Sequence, residues 1–171
     1  MGKDIFISHA WGKDNNNRDN HERCKKICDN LILQGYSVWF DDYDMKGNID
    51  KSIMKGINDC KIVLVCLTET YCNKINNAVL FNQPNDNCYK EWNYSLFKQK
   101  IIIPIIMEEK MKTIFLQEDG VIQMYLNSTM FIDICDSIEP NINNLYTSLS
   151  NFNIYSKKQK KTLTNINHNK N

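Results

Sequence analysis

The run KIVLVCL, residues 61–67, leaves a folding chain few choices. It is far too short to cross a bilayer, and it is apolar on both faces that an extended chain presents. Such a segment reads as the central strand of a parallel sheet, covered by helices on each side. Four other β-rich apolar runs accompany it: DIFIS (4–8), YSVWF (36–40), KIIIPIIM (100–107) and MFIDI (130–134). Pro104 has no N–H to give a ladder, so it is expected near the end of its strand or on a sheet edge.

Helical patterns separate these runs. Asp19 or Asn20 can cap a helix whose apolar face is Cys24, Ile27, Cys28, Leu31 and Ile32, with Gly35 ready to end it. Further helices are expected over about 50–58, from about Asn87 to Gln99, in a variable stretch over about 111–126, and over about 141–151. Residues 72–87 read as a polar loop, because Pro84 breaks a helix. Strands alternating with helices predict an α/β domain: a doubly wound, five-stranded parallel sheet with helices on both faces. At 171 residues the chain is the size of one such domain. The expected organisation is a domain over 1–152 and a basic, Asn-rich, disordered tail over 153–171.

Composition narrows the function. A net charge of +1 argues against nucleic acid or a membrane surface as partner, and the one cluster of lysines lies in the tail. MGKDIFISHA runs straight into a strand pattern without a signal-peptide core, and Phe6 stands where a myristoylation signal needs Ser or Thr. The expected location is cytoplasmic. Seven cysteines, an odd number without paired CxxC spacing, favour neither a disulfide framework nor a zinc site. Cys24 and Cys28, four residues apart, read as core thiols.

In doubly wound sheets ligands bind beyond the carboxyl ends of the strands. The loops after the first three strands therefore share a rim carrying Ser8, His9, Trp11, Asp41, Asp42 and Tyr43. The helix bearing Glu91 starts near that rim, and Glu91 borders the Cys88–Trp92–Leu96 stripe without a lysine four residues away. There is no glycine-rich phosphate loop. His9 is a base, a ligand contact or a structural loop histidine, and Trp11 either stacks on a ligand or packs on the sheet. Asp41 and Asp42 bind ribose or cap the next element. Side by side they suggest a metal, but no further ligand is seen to converge, so none is expected. Trp39 and Trp92 are expected in the core.

Four segments in order carry a resemblance. DIFISHAW resembles the first signature of TIR (Toll/interleukin-1 receptor) domains, and GYSVWFDDYDMKGNI their second strand and BB loop. GINDCKIVLVCLTETY is similar to their third-strand segment, and CYKEWNYSL with IIIPIIME to the glutamate-bearing helix and fourth strand. The match is collinear over roughly residues 1–135. It implies a flavodoxin-like fold and, in the NAD-consuming branch, an enzyme in which Glu91 cleaves the nicotinamide–ribose bond. NAD is then the substrate and no other cofactor is needed. Ser8, His9, Ala10, Trp11, Asp41, Asp42 and Tyr43 are implied to shape the nucleotide pocket. Asn87 departs from the pattern, since many active members carry an aromatic there. The resemblance also implies signalling or defence, and assembly with itself or other TIR domains through the BB loop, Asp41 to Asp50. A non-catalytic adaptor using that loop is the alternative. A phosphoacceptor receiver domain would want an aspartate ending the third strand, and VLVCLTETY has none.

Overall fold

The computed structural model describes residues 2–116, 120–126 and 130–160. Five parallel strands form one sheet in the order β2-β1-β3-β4-β5: β1 (Ile5–His9), β2 (Val38–Trp39), β3 (Ile62–Leu67), β4 (Ile101–Ile106) and β5 (Ile132–Asp133). The helices are α1 (Asn20–Leu33), α2 (Asp41–Asp44), α3 (Ile49–Asp59), α4 (Glu69–Leu80), α5 (Asn87–Phe97), α6 (Val121–Leu126) and α7 (Ile138–Asn151), with a 3₁₀ segment over Glu109–Leu116. This is the flavodoxin-like architecture expected. Among the described residues no helix is long and apolar enough to cross a membrane.

β3 is the centre of the molecule, and each of its six residues is fully buried. Ile62, Leu64 and Cys66 point into a core layer shared with α1 and α7, against Ile27, Leu31, Leu145 and Leu149. Val63, Val65 and Leu67 point the other way, into a layer holding Ile57, Ile75 and Trp92 from α3, α4 and α5. The alternation of a strand thus explains why the run is apolar throughout.

Local signals fix the elements. Asp19 caps α1 by accepting from the Glu22 N–H. The helix ends in a Schellman motif: the Tyr36 N–H reaches the Leu31 carbonyl and the Gly35 N–H that of Ile32, with Gly35 at φ +90°. Pro104 lies inside β4, between Ile103 and Ile105. β5 pairs with β4 only from Ile105 onward, so at Pro104 the strand is still an edge.

Two expectations need revision. Residues 72–87 do not form a continuous loop, since α4 covers Glu69–Leu80. Thr68 caps it, accepting from the Tyr71 N–H, and Tyr71, Cys72, Ile75 and Ala78 form a buried helical stripe that outweighs the polar residues between them. Pro84 stands beyond its end. The other revision concerns 153–160. Ile154 is buried in the α1–α7 core layer, and the Lys157 N–H bonds the Gly35 carbonyl. Ser156 and Gln159 then form a reciprocal capping box, each side chain accepting from the other's N–H, at the start of a helical turn. Packed chain therefore continues past 152; the rest of the expected tail, 161–171, lies outside the described residues.

The carboxyl-end rim is braced by two arginines, and Arg18 donates to Asp14 Oδ2 and to the carbonyls of Cys135 and Met107. Arg23 of α1 donates to the carbonyls of Met107, Ile134 and Cys135 and pairs with the buried Asp14 carboxylate at 3.0 Å. It ties the loop after β1 to the ends of β4 and β5. Glu108 adds another tie, accepting from the N–H groups of Asn15 and Glu69.

Candidate functional site

Glu91 sits on the inward face of α5, in the turn after one opened by Asp86, whose carboxylate accepts from the N–H groups of Cys88 and Tyr89. The residue is only 8% exposed. Its Oε2 accepts a 2.6 Å hydrogen bond from the hydroxyl of Ser8, at the end of β1. Ser8 Oγ in turn lies 2.8 Å from the Tyr71 hydroxyl of α4. Three elements thus hold one carboxylate. Burial pushes the Glu91 carboxyl up to about 8; the Ser8 bond opposes that shift, Asp41 and Asp86 add to it, and Lys74 opposes it.

Beside Glu91 opens a cleft of about 400 Å³, within the range of small-molecule sites. His9, Trp11, Trp39, Asp41 and Lys74 line it with Glu91. Trp39 is 6% exposed and stacks on Phe6 at 4.3 Å, so the expectation of a core tryptophan holds while one part of the ring also meets the cleft. Trp92, expected in the core, is 1% exposed. Asn87 lines the cleft at the position where an aromatic is missing.

A second cluster builds the rim. His9 Nε2 and His21 Nδ1 share a 2.8 Å hydrogen bond, and His21 Nε2 lies 3.0 Å from Asp42 Oδ1. Trp11 stacks on His21 with ring centroids 3.9 Å apart and donates its indole N–H to Asp41 Oδ2 at 3.0 Å. Burial lowers His9 to about 4, against the attraction of Asp41, so its imidazole is neutral at pH 7.

The rim residues expected from sequence divide into three groups. His9, Trp11 and Asp41 line the cleft with Glu91, and Ser8 supports Glu91 from beneath without lining it. Asp42 braces His21, and Ala10 is 1% exposed, its carbonyl accepting from the Asn20 side chain. Tyr43 lies away from the cleft: its hydroxyl donates to Asp29 and accepts from Lys25, both at 2.6 Å. The four-residue helix α2 turns it from Asp41's direction toward α1.

Sequence reasoning passes over three contributors. Lys74 and Asp86, paired at 2.8 Å, line the cleft from the segment read as loop. The signal for Lys74 is the Thr68 cap and the apolar stripe of α4, and that for Asp86 is its place as the cap of α5. His21 is the third. It adds a ligand-type side chain beside His9 and Asp41, a convergence that the sequence does not reveal. Its position depends on the loop after β1 folding back, through the Asn20 N–H to Gly12 carbonyl bond and the Lys13–Asp19 bridge.

Chemically, the cleft offers the buried Glu91 carboxylate, the Asp41 carboxylate, a neutral imidazole, two indoles and a lysine paired with Asp86. That set suits a ligand carrying an aromatic ring and a cationic centre.

Residues 5–145 match the family model described as TIR domain. No curated protein sequence matches the chain. Among solved structures, the TIR domain of the Toll-related Receptor TRR-2 from Hydra magnipapillata (crystal form I) aligns with a TM-score of 0.56 at 20% identity, over 86% of this chain and 98% of that one. At that identity the likeness carries the fold.

Proposed function

The chain belongs to the TIR domain family, a family of signalling modules, and from that premise we propose that it cleaves NAD between nicotinamide and ribose with Glu91 as the catalytic carboxylate. The observation that carries this reading is a carboxylate 8% exposed, hydrogen-bonded by Ser8, at the wall of a cleft large enough for the nicotinamide riboside half of the dinucleotide. Such a group is expensive to bury unless a cation joins it.

NAD supplies that cation. Its nicotinamide ring is positively charged and leaves as a neutral molecule, so the leaving group needs no proton from a general acid. As the glycosidic bond lengthens, positive charge passes to the ribose ring, and an ionised Glu91 stabilises it at close range. Burial makes the carboxylate costly in the empty protein, and the ligand's charge lowers its pKa on binding. Attack by water then releases ADP-ribose, and attack by the adenine ring gives a cyclic product. Trp11 offers a face for stacking, and Lys74 a charge for the diphosphate. TIR domains associate with themselves or with one another, and this reading has the enzyme working in signalling or defence as such an assembly in the cytoplasm.

Incubation of concentrated protein with NAD, with nicotinamide followed by chromatography, tests this. Release that falls by at least about 100-fold in Glu91→Gln supports it. Absence of turnover in the wild-type protein, including under crowding, overturns it. A second reading, a non-catalytic adaptor, draws on the segment 46–50, which is exposed throughout and carries Ile49 at 47% exposure. That reading requires TIR–TIR binding to survive in Glu91→Gln and to fail when Ile49 becomes aspartate.

A further inference from the structure

We propose that His9, His21 and Asp41 form a binding site for a divalent metal ion of the zinc class at the rim of the cleft. The three ligand atoms are mutually close: His9 Nε2 to His21 Nδ1 is 2.8 Å, His9 Nε2 to Asp41 Oδ2 is 3.8 Å, and His21 Nδ1 to Asp41 Oδ2 is 3.9 Å. Tetrahedral bonds of about 2.0–2.1 Å require ligand atoms about 3.4 Å apart, and the observed edges straddle that value. Two imidazoles and one carboxylate suit zinc and its neighbours rather than magnesium or calcium, which prefer all-oxygen shells.

The surroundings have the form of an outer shell. Histidine ligands usually hold their remaining N–H on a carboxylate or carbonyl, which fixes the ring and the ligating nitrogen. His21 meets Asp42 through Nε2 at 3.0 Å, leaving Nδ1 for the ion. Asp41 receives the Trp11 indole N–H on the ligand oxygen and the Asp42 backbone N–H on the other. His9 and Asp41 line the cleft, whereas His21 closes the cluster from behind, which leaves the fourth coordination position on the cleft side. The 2.8 Å bond between the two rings marks a shared proton, and the ion takes that proton's place.

Three separate chain segments would be joined: the end of β1, the first turn of α1 and the start of α2, which leads into the exposed segment 46–50. The site uses none of Glu91, so it stands or falls apart from NAD cleavage.

The test is zinc titration of chelator-stripped full-length protein by calorimetry, with cobalt as a spectroscopic substitute. Expected are one ion per chain, four-coordinate cobalt bands in the visible and no thiolate charge-transfer band. His21→Asn should weaken binding by more than about tenfold, Asp42→Asn by about tenfold, and Glu91→Gln not at all. Circular dichroism verifies the fold of each variant, and the conservative Asp42→Asn keeps the test open if His21→Asn fails to fold. Absence of stoichiometric binding, binding unchanged in both variants, or a thiolate band overturns the proposal. The remaining histidine, His168, lies in the tail, so loss of the ion on its substitution would also overturn it.

Discussion

The Ser8 hydroxyl donates to Glu91 Oε2 across 2.6 Å, so the end of the sheet's first strand holds a helix carboxylate 83 residues later in the chain. Hydrogen bonds to charged groups are worth about 1.5–3 kcal/mol, more than neutral ones. Ser8 itself is fully buried, and nothing in water competes for its proton.

Removing that donor should be visible in rate and in pH dependence together. Ser8→Ala is expected to slow nicotinamide release about tenfold, since about 1.4 kcal/mol is one decade. Because the bond favours the ionised carboxylate, its loss should also move the rising limb of the pH–rate profile to higher pH. A slower variant with an unshifted profile would mean that Ser8 acts only on packing.

Glu91 makes stability fall with pH. Its folded carboxyl titrates at about 8, against 4.5 ordinarily. Between those values the folded protein holds a proton that the unfolded chain has released, so unfolding becomes easier as pH rises from about 5 to about 8. Glu91→Gln cannot ionise. Urea unfolding at pH 5, 7 and 9 should show the wild-type midpoint falling by more than the variant's, with the variant the more stable at pH 9. Equal slopes would place the group's titration in the ordinary carboxylate range.

Gly56 is a packing requirement. A Cβ built on this helical glycine would stand 2.8 Å from Trp39 Nε1 and 2.9 Å from Phe6 Cε2. Those rings are fixed by their own 4.3 Å stack and by burial. Gly56→Ala is therefore expected to cost about 1–3 kcal/mol despite the better helix propensity of alanine. Chemical denaturation measures the loss, and Trp39 displacement should also disturb the cleft that it lines.

Ile154 tests where the domain ends. It is 3% exposed within the layer between α1, α7 and the sheet. Ile154→Ala should destabilise by about 2–4 kcal/mol, and truncation after 152 by at least as much. A truncated chain of unchanged thermal midpoint would put the packed domain's end at 152.

The parts of this fold that are legible in the sequence are those where side chains alone decide. β3 announces itself because six consecutive residues have nowhere polar to go, and α1 because its cap, stripe and terminal glycine agree. α4 is obscured by Asn73, Asn76 and Asn77 and by the nearby Pro84, although its apolar stripe is of ordinary helical spacing. In the cleft, His9, Trp11, Asp41 and Glu91 follow from topology, because strand ends must share a rim. His21 and Tyr43 do not. One depends on how a ten-residue loop doubles back, and the other on the rotation of a single helical turn; neither leaves a period in the sequence.

Both outer strands of the sheet, β2 and β5, are only two residues long. A neighbouring chain meeting either margin finds too little open main chain to extend the ladder, which is how soluble sheets resist uncontrolled fibre growth. Any association between copies of this domain would therefore run through helix and loop side chains rather than through the sheet margins.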